Sequence, residues 1–319
     1  LTDRNIAIKL VGVGGAGSNA VDRLKMENLD RLQLAVMNTD HQALSSSPVQ
    51  DKVLLGLGVT RGLGAGGDPE RGREAAEADR AKIAAVVKDC DLVFLVAGMG
   101  GGTGTGAAPV IAKAARDMGI LTVGVVTKPF EFEGARRMSN ADAGMAELEA
   151  NVDSLIVVLN EKLMEVLGDD ASQDEAFAFA NDVLKNSVGG IAEIINVEAL
   201  VNVDFEDVRT VMSEQGKAMM GTAVASGLDR ARIAAEQAVA SPLLDGIDLS
   251  GARGVLVLIA AGRNNFKLSE SRNAMNTIKR YAAEDAHIIY GTAYDESLGD
   301  EIRVTVVATG LSVGGRVNK

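Results

Sequence analysis

Hydrophobic positions along this chain follow two alternating patterns. Short, continuously apolar runs occupy 6–13 ("IAIKLVGV"), 32–40 ("LQLAVMNTD"), 91–98 ("DLVFLVAG"), 121–129 ("LTVGVVTKP") and 154–160 ("SLIVVLN"). Between them, at 18–28, 68–89, 108–118 and 141–151, apolar residues recur at helical spacing. Runs apolar at every position, rather than every second one, suit strands buried on both faces, as in a parallel sheet covered by helices. The pattern predicts an α/β fold with a doubly wound, mostly parallel sheet. Asp68 and Pro69 predict the cap and first residue of the helix at 68–89. Residues 172–196 read as one long helix. Ser172 and Glu175 form its capping-box pattern, Phe177, Leu184, Val188, Ile191 and Ile195 share a face, and Gly189 and Gly190 weaken its middle. Beyond it, strands at 254–262, 287–295 and 303–310 and helices at 228–241 and 270–284 predict a smaller α/β domain with a partly antiparallel sheet. The expected division is 1–172, a connecting helix at 173–196, a second domain at 197–310, and a polar, glycine-rich start of a flexible tail at 311–319.

Composition changes this picture in three ways. With no Trp and only 3% aromatic residues, the core must be built from Val, Ile, Leu and Ala. A net charge of −12 argues against broad electrostatic binding to nucleic acid or an anionic membrane. No apolar run approaches the roughly 20 residues of a membrane helix, so neither nucleic acid nor direct membrane insertion is expected. Cys90 is the single cysteine, which excludes a disulfide within one chain and fits a reducing cytoplasm.

Glycine is concentrated where runs meet helices: "GVGGAGSNA" (12–20), "RGLGAGGD" (61–68) and "GMGGGTGTG" (98–106). In a parallel sheet these corners gather at one edge. Each helix start offers unpaired N–H groups and a positive dipole end. Glycine lets those amides approach an anion with no Cβ in the way. With the Thr103 and Thr105 hydroxyls added, the corners form a polyphosphate cradle of neutral donors, compatible with an acidic chain. No G-x-x-x-x-G-K-[ST] occurs, which excludes a P-loop enzyme. A bound Mg2+ is expected to offset phosphate charge, but no dedicated set of metal ligands stands out. The first corner alone also fits G-x-G-x-x-G at Gly12, Gly14 and Gly17, with Asp40 where a ribose-binding acid would sit. That supports a different reading, an NAD-dependent oxidoreductase, and a tight turn without ligand is the plainer one. Neither explains the other two corners.

At "GGGTGTG" (100–106) the chain resembles the tubulin/FtsZ family of GTPases. "GVGGAGSNAV", "NTD", "TRGLGAG", "GMGGGTGTGAAPV", "GILTVGVVTKPF", "FEGARR", "NDVL", "NVDFEDVRTVMS", "AMMG", "SPLL", "GARGVLV" and "RVTVVATG" follow in that family's order, from about Ile6 to Gly310. The resemblance implies a polymerising GTPase that stacks head to tail into protofilaments of the bacterial division ring, cytoplasmic and at midcell. It implies GTP and GDP as ligands, held by Gly14, Gly15, Ala16, Gly17, Ser18 and Asn19, by Asp40, by Ala65, Gly66 and Gly67, and by Gly101, Gly102, Thr103, Gly104 and Thr105. Glu133 and Arg137 match residues near ribose and phosphates. Phe177 would stack on the guanine, although its place on an apolar stripe equally suits plain core packing. Asn181 and Asp182 would read the guanine edge. In "NVDFEDV" (202–208), Asp204 and Asp207 would polarise water in the next subunit's site, supported by Asn202. Taken alone, those acids suit N-capping of the helix that follows. Neither histidine, His41 or His287, lies in these motifs. Keeping both Asp204 and Asp207 argues against a regulator that binds nucleotide without polymerising. Departures from the family's pattern are Ala16, Ser18, Asp68, Leu159 and Phe179. A linker ending in a peptide that binds other division proteins would lie beyond Lys319.

Overall fold

The apolar runs of the first half become strands whose core-facing and back-facing side chains are both covered. In the computed structural model, residues 6–26, 32–195, 205–214, 217–244 and 247–311 are described. The chain divides into two compact units, 1–189 and 190–319.

In the first unit, β1 (Ile8–Val13), α1 (Gly14–Met26), β2 (Gln33–Asn38), α2 (His41–Ser45), β3 (Asp51–Leu54) and α3 (Leu57–Thr60) come first. They are followed by α4 (Pro69–Ala78), α5 (Arg80–Val87), β4 (Leu92–Gly98), α6 (Thr103–Asp117), β5 (Leu121–Lys128), α7 (Ala135–Asn151), β6 (Ser154–Leu159) and α8 (Asn160–Leu167). The strands run in the order β3-β2-β1-β4-β5-β6, all parallel, with Val11 of β1 beside Ala35 on one side and Leu95 on the other. The chain reverses direction across the sheet between β1 and β4. Ligand crevices open at the carboxyl ends of strands at such a point.

Several boundaries differ from the sequence pattern for identifiable reasons. The helix expected over 68–89 is two helices. The carboxylate of Asp79 accepts the Gly56 N–H at 2.6 Å, and the backbone leaves helical geometry there at φ −122°, ψ 32°. Asp68 caps α4 as expected, accepting the Glu70 N–H at 3.0 Å with Pro69 at the first position. β3 was missed because its four residues, "DKVL", are half polar. Helices α1 and α6 begin at Gly14 and Thr103, earlier than Ser18 and Ala108. Glycine propensity argues against helix there, but close packing demands it. A Cβ at Gly17 would lie 2.0 Å from the Val96 carbonyl oxygen, and one at Gly106 would lie 1.9 Å from that of Pro69.

α9 (Gln173–Ile195) is the long helix, with Ser172 Oγ accepting the Glu175 N–H at 3.1 Å. It runs unbroken through Gly189, where a Cβ would meet Leu24 Cδ2 of α1 at 2.7 Å. The glycine admits the neighbouring helix rather than breaking its own.

The second unit holds α10 (Phe205–Met212), β7 (Lys217–Ala225), α11 (Arg230–Val239), β8 (Gly254–Ala261), α12 (Leu268–Lys279), β9 (His287–Tyr294) and β10 (Ile302–Leu311). β10 is antiparallel to both β7 and β8, and β8 is parallel to β9. β7, which the sequence pattern did not predict, adds the strand that makes this sheet order β7-β10-β8-β9. The buried Arg230 guanidinium ties α11 to α12 and to two loops. It donates to Glu270 Oε1 at 2.8 Å and to the carbonyls of Asp300 and Asn265, each at 2.8 Å.

Candidate functional site

The three glycine corners of the first unit meet around one open cavity of ≈ 440 Å3. Gly15 and Ala16 come from the start of α1, and Gly64, Ala65 and Gly66 from the loop before α4. Gly101, Gly102, Thr103 and Gly104 enter from the start of α6. In α6 the first N–H to bond back is that of Gly106, to Gly102 O at 3.1 Å, so the preceding amides have no partner within the helix. Among the described residues lining the cavity, Arg137 is the one basic side chain. An anion here is met by main-chain dipoles.

Some predicted contacts serve the cavity from behind. Gly14, at φ +73°, would place a Cβ 2.9 Å from Gly104 N, so it lets the first corner back onto the third. Thr105 is buried, and its hydroxyl accepts the Gly100 N–H at 2.8 Å. It pins the loop and is not among the residues that line the cavity. Gly17, Ser18, Asn19 and Gly67 likewise do not line the cavity. Asp40 does, and also caps α2 by accepting the Ala43 N–H at 3.2 Å.

The rest of the cavity lining is aromatic and amide-rich. Phe177 lines it and is 38% exposed, whereas Ala176, Ala180, Val183 and Leu184 of the same helix are buried. Its ring meets Phe130 and Phe132 edge-on, with centroids 5.5 and 5.7 Å away. Glu133 accepts the Phe130 N–H at 2.8 Å and the Arg137 Nε at 3.1 Å, which orients the guanidinium at the cavity wall. Asn181 lines the cavity. Asp182 does not, because its carboxylate is held by Arg23 of α1. The sequence reading missed Asn160. This residue opens α8, lines the cavity, is 6% exposed, and its Oδ1 has no hydrogen-bond partner among the described residues. A buried acceptor left unpaired is costly, and a ligand donor at this wall relieves the cost. Its signal in the sequence was only a polar residue ending an apolar run.

Asn160→Leu is therefore expected to separate binding from stability. Removing the unpaired acceptor leaves the ligand-free melting temperature unchanged or higher, while affinity for the guanine nucleotide that the sequence resemblance implies falls about tenfold or more. Calorimetric titration and a thermal melt read the two quantities.

In the second unit, Asp207 lies inside the first turn of α10 rather than ahead of that helix as expected. Its half-exposed carboxylate has His287 Nε2 of β9 at 3.9 Å, too far for a hydrogen bond. Asn202, Asp204 and the tail at 312–319 lie outside the described residues. No group of three or more His, Cys, Asp or Glu side chains suited to a metal occurs among the described residues. No helix among them is long and apolar enough to cross a membrane.

Comparison with known proteins agrees with this geometry. Residues 7–168 match the Tubulin/FtsZ family GTPase domain, and residues 216–312 match the FtsZ family C-terminal domain. The chain is 51% identical over 309 residues to the cell division protein FtsZ of Buchnera aphidicola subsp. Baizongia pistaciae, covering 97% of this chain and 80% of that one. It is 52% identical over 312 residues to the FtsZ of Pseudomonas aeruginosa, covering 98% and 78%. Among solved structures, an empty FtsZ dimer from M. jannaschii superposes with a TM-score of 0.94 at 41% identity, covering 99% of this chain and 90% of that one. CetZ2 from Haloferax volcanii, a GTPγS-bound protofilament, shares the fold at 24% identity with a TM-score of 0.80. The hydride-transfer reading finds no support in any of these relatives, and the fingerprint glycine Gly17 packs on the backbone of β4. The chain belongs to the Tubulin/FtsZ family and is a GTPase of its FtsZ cell-division branch.

Proposed function

We propose that this GTPase assembles head to tail and hydrolyses GTP between adjacent subunits, in protofilaments of a midcell division ring in the cytoplasm. The observation that carries the binding half is the meeting of three glycine corners at one cavity also lined by Phe177, Asn181 and Asn160. The triphosphate lies against the amides of Gly15 to Ala16, Gly64 to Gly66 and Gly101 to Gly104. The guanine stacks on Phe177, and its N1–H and exocyclic NH2 find acceptors at Asn160 and Asn181. Arg137, oriented by Glu133, faces the ribose and phosphates.

The catalytic half rests on Asp207, which is half exposed on α10 and so available to a second copy. The reaction is GTP plus water to GDP plus phosphate. Asp207, with Asp204 and Asn202, orients the water and draws on its proton as the Pγ–O bond breaks. Phosphoryl transfer asks mainly for positioning and charge stabilisation, so no strong base is needed. Asp40 is the carboxylate on the phosphate side of the cavity, and a divalent ion there fits a donor set of one carboxylate, phosphate oxygens and water. When bound, Mg2+ offsets charge on the phosphates.

A nucleotide cradle on one copy and an acid on the next make a heterologous contact, which propagates as a filament rather than closing. The M. jannaschii relative, solved as a dimer, supports self-association. Other division proteins are the further partners this reading implies. The test is GTPase rate against protein concentration with Mg2+ present. The rate per molecule is expected to rise with concentration, and a constant rate per molecule would overturn the shared site.

A further inference from the structure

We propose that the Thr39 hydroxyl is a positioning group for the triphosphate. It donates to Thr103 Oγ1 and thereby aims the Thr103 proton into the cavity. The proposal rests on the GTP reading of the site. Thr39 follows β2, in the "NTD" segment, and Thr103 opens α6. Both line the cavity, and their hydroxyl oxygens are 2.6 Å apart.

The Thr39 backbone is held on several sides. Its N–H donates to Asn38 Oδ1 at 2.8 Å, and its carbonyl accepts from Gly64 N at 3.2 Å and Thr60 Oγ1 at 3.4 Å. Thr39 is fully buried and Thr103 nearly so. A β-branched side chain on a fixed backbone has little rotamer freedom, so this hydroxyl is committed to the Thr103 side.

Two hydroxyls in contact can share a proton in either sense. Without an anion the two senses are comparable. A phosphate oxygen on the cavity side of Thr103 separates them. If Thr103 donates back to Thr39, its lone pairs face the anion and the Thr39 proton has no acceptor. If Thr39 donates to Thr103, both protons are used in a chain from Thr39 through Thr103 to phosphate. Each bond in such a chain polarises the next. Thr39 thus strengthens a donor it does not replace, and the corner after β2 bears on phosphate binding through α6.

The experiment is a double-mutant cycle on affinity for a slowly hydrolysed GTP analogue, with Mg2+, measured on the whole chain by calorimetry. Thr39→Val is expected to weaken binding about fivefold to tenfold. Thr103→Val weakens it at least as much, and the double variant binds no more weakly than Thr103→Val alone. Thr39→Ser, which keeps the hydroxyl, restores most of the affinity. If Thr39→Val does not fold, as judged by circular dichroism, Thr39→Ala takes its place in the cycle. Wild-type affinity in the Thr39 variant overturns the proposal, and so do losses that multiply in the double variant, since a purely structural effect persists without the Thr103 hydroxyl. Failure of the unaltered protein to bind guanine nucleotide overturns the GTP reading itself, and the relay with it.

Discussion

Asp207→Ala should bind GTP as tightly as the unaltered protein and turn it over about 100-fold more slowly or worse. A preorganised group acting on the transition state alone contributes on that scale. Asp207 sits on α10 in the second unit, whereas the glycine corners belong to the first. Loss of turnover without loss of binding marks a group that acts on the transition state, and mixing tells which chain supplies it. Mixing supplies the decisive form of the experiment. Gly101 lines the cavity, and a Cβ built on it meets nothing within 4 Å, so Gly101→Asp sets a carboxylate among the phosphate donors without crowding the fold. Alone, that variant lacks bound nucleotide and Asp207→Ala lacks the acid. Together they form junctions in which an intact cradle meets an intact acid, and activity returns. Normal hydrolysis by Asp207→Ala, or a mixture as inactive as its components, would place the chemistry within a single chain.

The phosphate end of this site was legible in the sequence because its signal is local. Apolar runs fix a parallel sheet, and a parallel sheet brings its strand-to-helix corners to one edge, so the first and third glycine clusters converge; the second, between α3 and α4, is joined to them where the Gly64 N–H donates to the Thr39 carbonyl. What the pattern could not give was which atoms face the ligand. Thr103 and Thr105 look equivalent two residues apart, yet one opens into the cavity and the other bonds the loop amide of Gly100. Helix periodicity decides that, and the helix start was misplaced because glycine scores poorly for helix. Tight approach of α6 to α4 at Gly106 and Pro69 overrides that propensity.

The base end was harder to read: Asn181 and Asp182 lie in the "NDVL" segment, but Asn160 carries no motif of its own. Asn160 is one polar residue after a strand, and only burial without a partner sets it apart. Asp182 lies next to Asn181, but one residue along a helix turns its side chain by about 100°, here toward Arg23. His287 comes beside Asp207 only because β9 packs near α10, a pairing across eighty positions that no spacing rule reaches. Adjacent corners follow from alternation along the chain. Contacts between distant side chains require the finished sheet.

Arg230→Met is expected to destabilise the second unit by about 3–5 kcal/mol, a large share of the 5–15 kcal/mol typical of a domain. The Arg230 and Glu270 side chains are 7% and 13% exposed, so removing the cation strands a buried carboxylate and leaves the Asp300 and Asn265 carbonyls short of a donor. The chain carries a convenient reporter. It has no tryptophan, and its three tyrosines, Tyr281, Tyr290 and Tyr294, all fall in the second unit. Tyrosine emission during urea unfolding therefore follows that unit. Adding Glu270→Leu should recover the part owed to the stranded charge but not the part owed to the two carbonyls. Acid separates the cases further. In the unaltered protein, burial pushes the Glu270 carboxyl up, but the bond from Arg230 and the Lys267 N–H pull it further down, to below its ordinary value. Its contribution is thus present above the unfolded carboxylate range near 4.3 and is lost as the pH falls through it. In Arg230→Met burial remains, opposed by the Lys267 N–H and the Lys267 charge but no longer by Arg230, so the carboxyl moves upward and acidification protonates it earlier in the folded state. The gap between variant and unaltered protein should then narrow as the pH falls from 7 toward the carboxylate range. A gap that stays constant over that range, or a double variant no more stable than Arg230→Met, would mean that Glu270 is not paying for its burial through Arg230.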